Sequence, residues 1–160
     1  MSNKTKQHGT RRHARELALQ GLYALEFAGK SAITAVEEAR AWASEPESAD
    51  EDLADLVRVG GEHLDFATDL IHGVFANREA IDQVLSESST NWKLSRMAMV
   101  DRNILRLAAY ELLFKAEIPP KVALNEAIEI GKKYGTAESS AFINGILDRV
   151  AAVAADRRAR

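Results

Sequence analysis

The stretch SRMAMVDRNILRLAAYELLFKAE, residues 95–117, decides the fold. At about 100° per residue, Met97, Val100, Ile104, Leu107, Ala108 and Leu112 share one helical face, and Leu105, Ala109 and Leu113 fill much of the remainder. A helix that is apolar nearly all round belongs at the centre of a helical assembly. Ile118-Pro119-Pro120 stops it, because the residue before a proline avoids the α region and Pro120 suits the first turn of a following helix.

Working outward, that following helix runs over 121–134, turns Ala123, Leu124, Ala127, Ile128 and Gly131 inward, and stops at Gly135. A last helix from about Glu138 buries Ile143, Ile146, Leu147 and Val150, then frays into a basic end at 156–160. Upstream, Asn77 or Arg78 opens a helix with Ala80, Ile81, Val84 and Leu85, which closes in the polar run SESSTN. Trp92 follows and is expected to anchor that loop on the core. A further helical pattern starts at Leu53, weakens at Gly60-Gly61 and continues through Leu64, Ala67, Leu70, Ile71, Val74 and Phe75. Ser31 suits the cap of a helix burying Ile33, Val36, Ala39 and Ala43, and SEPESADED at 44–52 reads as a solvated acidic loop. The sum is an all-α fold, a compact orthogonal bundle of six to seven helices in one domain over 10–155, preceded by a flexible basic tail at 1–9.

The first helix, TRRHARELALQGLYALEF at 10–27 with Thr10 as its expected N-cap, has two working faces. Ala14, Leu17, Ala18, Gly21, Leu22 and Leu25 form the stripe that a helix buries. Arg12, Arg15, Glu16, Leu19, Tyr23 and Phe27 fall opposite, where an ordinary amphipathic helix shows only small polar and charged groups. Arginines at a helix start oppose the macrodipole, so stability alone does not explain them. The plainer alternative for Leu19 and Tyr23 is packing beneath the second helix.

Bulk properties narrow the function. With 160 residues, 46% of them apolar, the chain is long enough for a self-sufficient core. No apolar run approaches the about 20 residues of a membrane span. The absence of cysteine excludes disulfides and thiolate metal sites and fits a reducing cytoplasm. Net charge is −3, yet Lys4, Lys6, Arg11, Arg12 and Arg15 give the first 15 residues +5 with no acid. Residues 31–65 carry ten acids against Arg40 and Arg58, −8 in all. A basic pole on an acidic body points to a localised polyanion site.

Catalytic signatures are missing: there is no glycine-rich phosphate loop and no GxSxG. Asp69-x-x-His72 supplies two ligand types at i, i+3 spacing, but a di-iron bundle needs two Glu-x-x-His motifs and further glutamates, so no metal or cofactor is expected. Binding has positive support. Arginines on a structured helix beside aromatic rings are the equipment for single-stranded RNA, cation to phosphate and ring to base. A second candidate patch joins Lys132, Lys133 and Tyr134 to Ser139 and Phe142 across Gly135. Read as core, Tyr134 and Phe142 are merely buried aromatics.

Four pieces in order resemble the NusB family of bacterial transcription antitermination factors: Arg11-Arg12-His13-Ala14-Arg15-Glu16 with Gln20 and Leu22-Tyr23; Asp101-Arg102 through Ile104-Leu105-Arg106 to Tyr110-Glu111-Leu112; Ile118-Pro119 with Asn125-Glu126-Ala127-Ile128-Glu129 and Lys132-x-Tyr134-Gly135; and Phe142-x-Asn144-Gly145-Ile146-Leu147-Asp148. The resemblance implies two small helical subdomains and no enzymatic activity. It implies binding of boxA-type RNA of ribosomal RNA leader transcripts, together with a small-subunit ribosomal protein (NusE), in the RNA polymerase antitermination complex. Carried over by position, RNA falls to Arg11, Arg12, Arg15, Tyr134 and Phe142, and the protein partner to Tyr23 and Asp101. Lys132, Lys133 and Ser139 extend the RNA set, and Glu16, Leu19 and Phe27 extend the partner face. The alternative is a protein-binding helical module, or a homodimer through Leu19, Tyr23 and Phe27, with no direct RNA role.

Overall fold

The structure, a computed structural model, describes residues 3–28 and 61–159, with side chains at 11–26 and 65–159. Among these residues the chain is all-α: α1 (Asn3–Ala28), α2 (Gly61–Ala76), α3 (Arg78–Ser88), a short 3-10 turn (Leu94–Arg96), α4 (Met99–Phe114), α5 (Pro120–Tyr134) and α6 (Ser139–Ala159). Two compact units divide the chain, Met1–His72 and Gly73–Arg160. The helix expected from Ser31, the acidic loop at 44–52, the pattern from Leu53 to Gly60 and the side chain of Phe27 lie outside the described residues.

In the second unit α4 is the hub. Every residue from Asn103 to Leu112 is buried, which is what an all-round apolar pattern demands. Helices α5 and α6 pack on it and on each other, and α3 packs on both α4 and α6. Ile104, Leu105, Leu112, Ile81, Leu85, Ile143, Leu147 and Val150 are each no more than 1% exposed. On α5 the buried line is Ala123, Ala127, Ile130 and Gly131, so Leu124 and Ile128 sit at the margin of the face rather than at its centre. Pro119 is the extended residue before the helix and Pro120 sits in its first turn, as the proline pair predicts.

Burying α4 on all sides also buries its polar groups, and each needs a partner. Arg106, 6% exposed, meets Asp82 of α3 in a two-pronged ion pair, Nε to Oδ1 at 2.8 Å and Nη2 to Oδ2 at 3.0 Å. Asn103 donates from Nδ2 to the Met99 carbonyl at 2.9 Å. Helix α4 starts at Met99 and not at Ser95, because Met97 and Ala98 are extended (ψ 150 and 139). The Arg102 guanidinium takes the Leu94 and Met97 carbonyls, at 2.8 and 3.2 Å, which a continuing helix would have used itself.

Further expectations are corrected. Helix α1 begins at Asn3, so Thr10 lies inside it instead of capping it, and most of the expected tail is helical. Helix α6 reaches Ala159 instead of fraying at 156, and Arg158 donates to the Leu112 carbonyl at 2.7 Å, supplying a donor to the end of α4. Trp92 does not anchor its loop by burial, being 56% exposed.

Glycine sets two close helix approaches. At Gly21 a Cβ would stand 2.8 Å from Ile71 Cδ1, and at Gly73 it would overlap the Tyr110 ring, which itself stacks on Phe114 at 5.7 Å. Gly73→Ala is therefore expected to cost about 1–3 kcal/mol by overpacking, read as a lower urea midpoint at constant slope. Asp82→Ala, which removes both ion-pair contacts to the buried Arg106 guanidinium, is expected to cost about 1–3 kcal/mol in the same assay.

Candidate nucleic-acid and partner interface

In the first unit the basic stretch of α1, which lies well inside the helix and not at its N-terminus as the sequence suggested, stands over an aromatic ring. The guanidinium of Arg11 stands 4.5 Å from the Phe66 centroid and that of Arg15 stands 5.2 Å from it. Arginines four apart on one helical face can share a ring presented by α2. Sequence reasoning missed Phe66, since a single ring on another helix carries no local signal. The two arginines differ in what remains available. Arg11 and Arg12 are exposed, whereas Arg15 is 3% exposed and offers no open surface.

Arg15 is not the only outer-face residue that turns out buried. Glu16 is 3% and Leu19 5% exposed, so every position from Ala14 to Leu19 is buried and α1 has no wide solvent face there. The long stem of Arg15 contributes to that burial while its head lies over the ring. Tyr23 is 40% exposed, which keeps it as a surface group further along the helix. Of the outer face read from the sequence, Arg12 and Tyr23 remain exposed among the described side chains, and Arg11 is exposed next to Arg12.

In the second unit the other candidates lie at the end of α5 and the start of α6. Lys132 and Lys133 occupy the last turn of α5, where cations also suit the helix dipole. Lys132 pairs with Glu129 at 3.2 Å, and the Lys133 ammonium lies 5.3 Å from the centroid of the Tyr134 ring. Tyr134 is 36% exposed, and Phe142 is half-buried with Trp92 edge-on to it at 6.1 Å and 84°.

Ser139 departs from its expected role as an exposed hydroxyl. It is 1% exposed, and its Oγ accepts from the Thr136 amide at 2.9 Å, closing the turn between α5 and α6. The side chain fills the space beside Gly135, where a Cβ would collide with it. Ser139 therefore shapes the corner that presents Tyr134 and Phe142. Asp101, in the first turn of α4, lines a hollow of about 310 Å³ together with Trp92, Arg96 and Phe142. Asp69 and His72, the metal-like pair, are both exposed. No group of three potential metal ligands occurs among the described residues.

Against known proteins, the profile described as the NusB family matches residues 12–152. The transcription antitermination protein NusB of Myxococcus xanthus (strain DK1622) is 46% identical over 143 residues, covering 89% of this chain and 95% of its own length. That of Trichlorobacter lovleyi is 49% identical over 148 residues, covering 92% and 94%. The solved structure of T. maritima NusB is 38% identical with a TM-score of 0.72, covering 89% of this chain and 90% of that one. A structure of the antitermination factors NusB and NusE in complex with dsRNA shares the fold at 22% identity and a TM-score of 0.73, covering 90% and 97%.

Ser139→Ala removes the acceptor that holds the corner and is expected to cost about 1 kcal/mol in urea unfolding. An unchanged midpoint would show that Gly135 and the helix ends hold the turn without it.

Proposed function

The chain belongs to the NusB family of transcription antitermination proteins, and from that premise we propose that it is a non-enzymatic RNA-binding adaptor of the cytoplasmic antitermination machinery. Its RNA is boxA-type sequence in ribosomal RNA leader transcripts, and its protein partner is a small-subunit ribosomal protein (NusE), within the RNA polymerase antitermination complex. The observation that carries this reading is the pairing of exposed cations with aromatic rings, repeated in both units: Arg11 over Phe66 with Arg12 next to it in the chain, and Lys133 over Tyr134 with Lys132 next to it in the chain. Cations take phosphate and rings take bases, the combination that binds single strands. A protein of the same fold has been solved with NusE and dsRNA, which supports RNA and NusE as the partner classes.

Within it the residues divide by exposure. Arg11, Arg12, Lys132, Lys133, Tyr134 and Phe142 touch RNA. Arg15 and Ser139 support them from beneath, Arg15 by sharing the Phe66 ring and Ser139 by closing the corner. Tyr23 and Asp101 belong to the surface for the protein partner, Phe27 keeps its place in that set by sequence position, and Glu16 and Leu19 are buried in α1 and have little surface to offer it. The alternative of a homodimer through Leu19, Tyr23 and Phe27 loses ground, since Leu19 is 5% exposed and has little surface to give a second copy.

The test is a boxA-like single-stranded RNA titrated with and without the ribosomal protein at several salt concentrations. Arg12→Ala is expected to weaken RNA binding and to lower the log–log salt slope by about 0.7. Tyr23→Ala is expected to leave binding by the isolated protein intact and to weaken assembly with the partner. An Arg12 variant with unchanged affinity and slope removes α1 from the RNA site. Equal losses from Tyr23→Ala and Arg12→Ala in the absence of partner refute the division of the helix.

A further inference from the structure

We propose that the loop between α3 and α4, residues 89–96, is a further subsite for single-stranded RNA, with Trp92 as a stacking platform and Lys93 and Arg96 as phosphate contacts. The inference rests on the reading that this chain binds RNA and extends it to residues to which neither the motif pieces nor the second patch gives a role. The first observation is an exposed ring that is held still. Trp92 is 56% exposed, while its carbonyl accepts from Ser89 Oγ at 2.7 Å and its ring rests edge-on against Phe142.

The loop is fixed at both ends. Arg149 donates to the Ser88 carbonyl at 2.8 Å where α3 ends, and Arg102 holds the Leu94 and Met97 carbonyls where α4 begins. A platform already immobilised loses little conformational freedom when a base stacks on it.

The second observation is charge without a structural task. Lys93 and Arg96 flank the ring, both are exposed, and neither forms an ion pair among the described residues. Arg102, Arg106 and Arg149 nearby all have buried or half-buried acceptors, so the loop pair stands out by its open heads.

The third observation is shape. Trp92 and Arg96 form the shared wall of two hollows. One, of about 600 Å³, is lined by Ser86, Thr90, Asn91 and Ser95 with Lys93, offering neutral donors and acceptors suited to a ribose 2′-hydroxyl beside a phosphate. The other, of about 310 Å³, leads to Phe142 and carries Asp101 and Glu138, whose negative charge steers phosphate toward the first. The Trp92–Phe142 ring contact makes the loop adjoin the Phe142 patch, so a strand that crosses the two rings with its phosphates on the side of the first hollow is lengthened by the loop. Open cations and a hydroxyl lining favour a polyanion with sugars over a protein segment.

The full chain is tested with a boxA-like single-stranded RNA bearing several flanking nucleotides, with the same RNA without flanks, and with DNA of the longer sequence. Trp92→Ala is expected to weaken the flanked RNA roughly fivefold or more, the scale of one lost base stack, and to leave the short RNA unaffected. Trp92→Phe, which keeps a ring, is expected to restore most of that loss. Lys93→Ala with Arg96→Ala is expected to lower the salt slope for the flanked RNA by about 1.4, from about 0.7 per contact. In a Trp42→Phe background the Trp92 emission is expected to be quenched by flanked RNA and less by DNA.

Melting curves exclude unfolding as the source of any loss. Wild-type affinity and slope in all loop variants would overturn the subsite while leaving the RNA reading in place. No RNA binding by the parent protein, with or without partner, would overturn both. Normal RNA binding with loss of the ribosomal protein would overturn the subsite by making the loop a protein-docking element.

Discussion

The second unit depends on one constraint: a helix buried on every side must satisfy its own polar groups from its neighbours. Helix α4 carries Arg106 into the interior, and Asp82 of α3 meets it with both carboxylate oxygens. Replacing such a pair by apolar groups is often tolerated, whereas stranding one member is costly, so its contribution is mainly to fix how α3 lies on α4. Everything that follows α3 inherits that placement, including the loop that displays Trp92 and the hollow beside Phe142.

Arginine does several different jobs in this chain, and burial sorts them. Arg102, Arg149 and Arg158 cap carbonyls at helix and turn ends, where backbone acceptors would otherwise go unsatisfied. Arg106 closes a buried ion pair. Arg15 is sandwiched into the packing over Phe66. Arg11, Arg12 and Arg96 are exposed, as are Arg149 and Arg158, whose guanidinium groups nonetheless reach backbone carbonyls. A guanidinium presents five donors in a planar fork, which is why one side chain type suits carbonyls, carboxylates, rings and phosphates alike.

The aromatic residues follow the same logic. Phe66 is half-buried under two cations, and Trp92 and Phe142 pack as a T-shaped pair. A ring fixed by its neighbours is a better stacking surface than a mobile one, because less entropy is lost on binding. Tyr110, by contrast, is 7% exposed in the space that Gly73 leaves, and its stacking on Phe114 belongs to packing.

The sequence by itself determined the all-α class, the centrality of α4, the proline start of α5 and its glycine stop, and the inner stripe of α1 at Ala14, Leu17, Ala18 and Leu22. These follow from local rules: helical periodicity, the steric restriction before proline, and glycine at an end. The motif pieces likewise marked where the candidate binding residues lie along the chain. Only the tertiary structure decided which of them reach the surface. Periodicity assigns a face relative to the helix axis and is blind to how many neighbours cover that helix. Hence Arg15, Glu16 and Leu19 read as outer and are buried, Ser139 reads as a contact and closes a turn, and Trp92 reads as an anchor and stands in the open. Phe66 was invisible for the complementary reason, since its meaning comes from two arginines more than fifty residues away in sequence that only folding brings over its face.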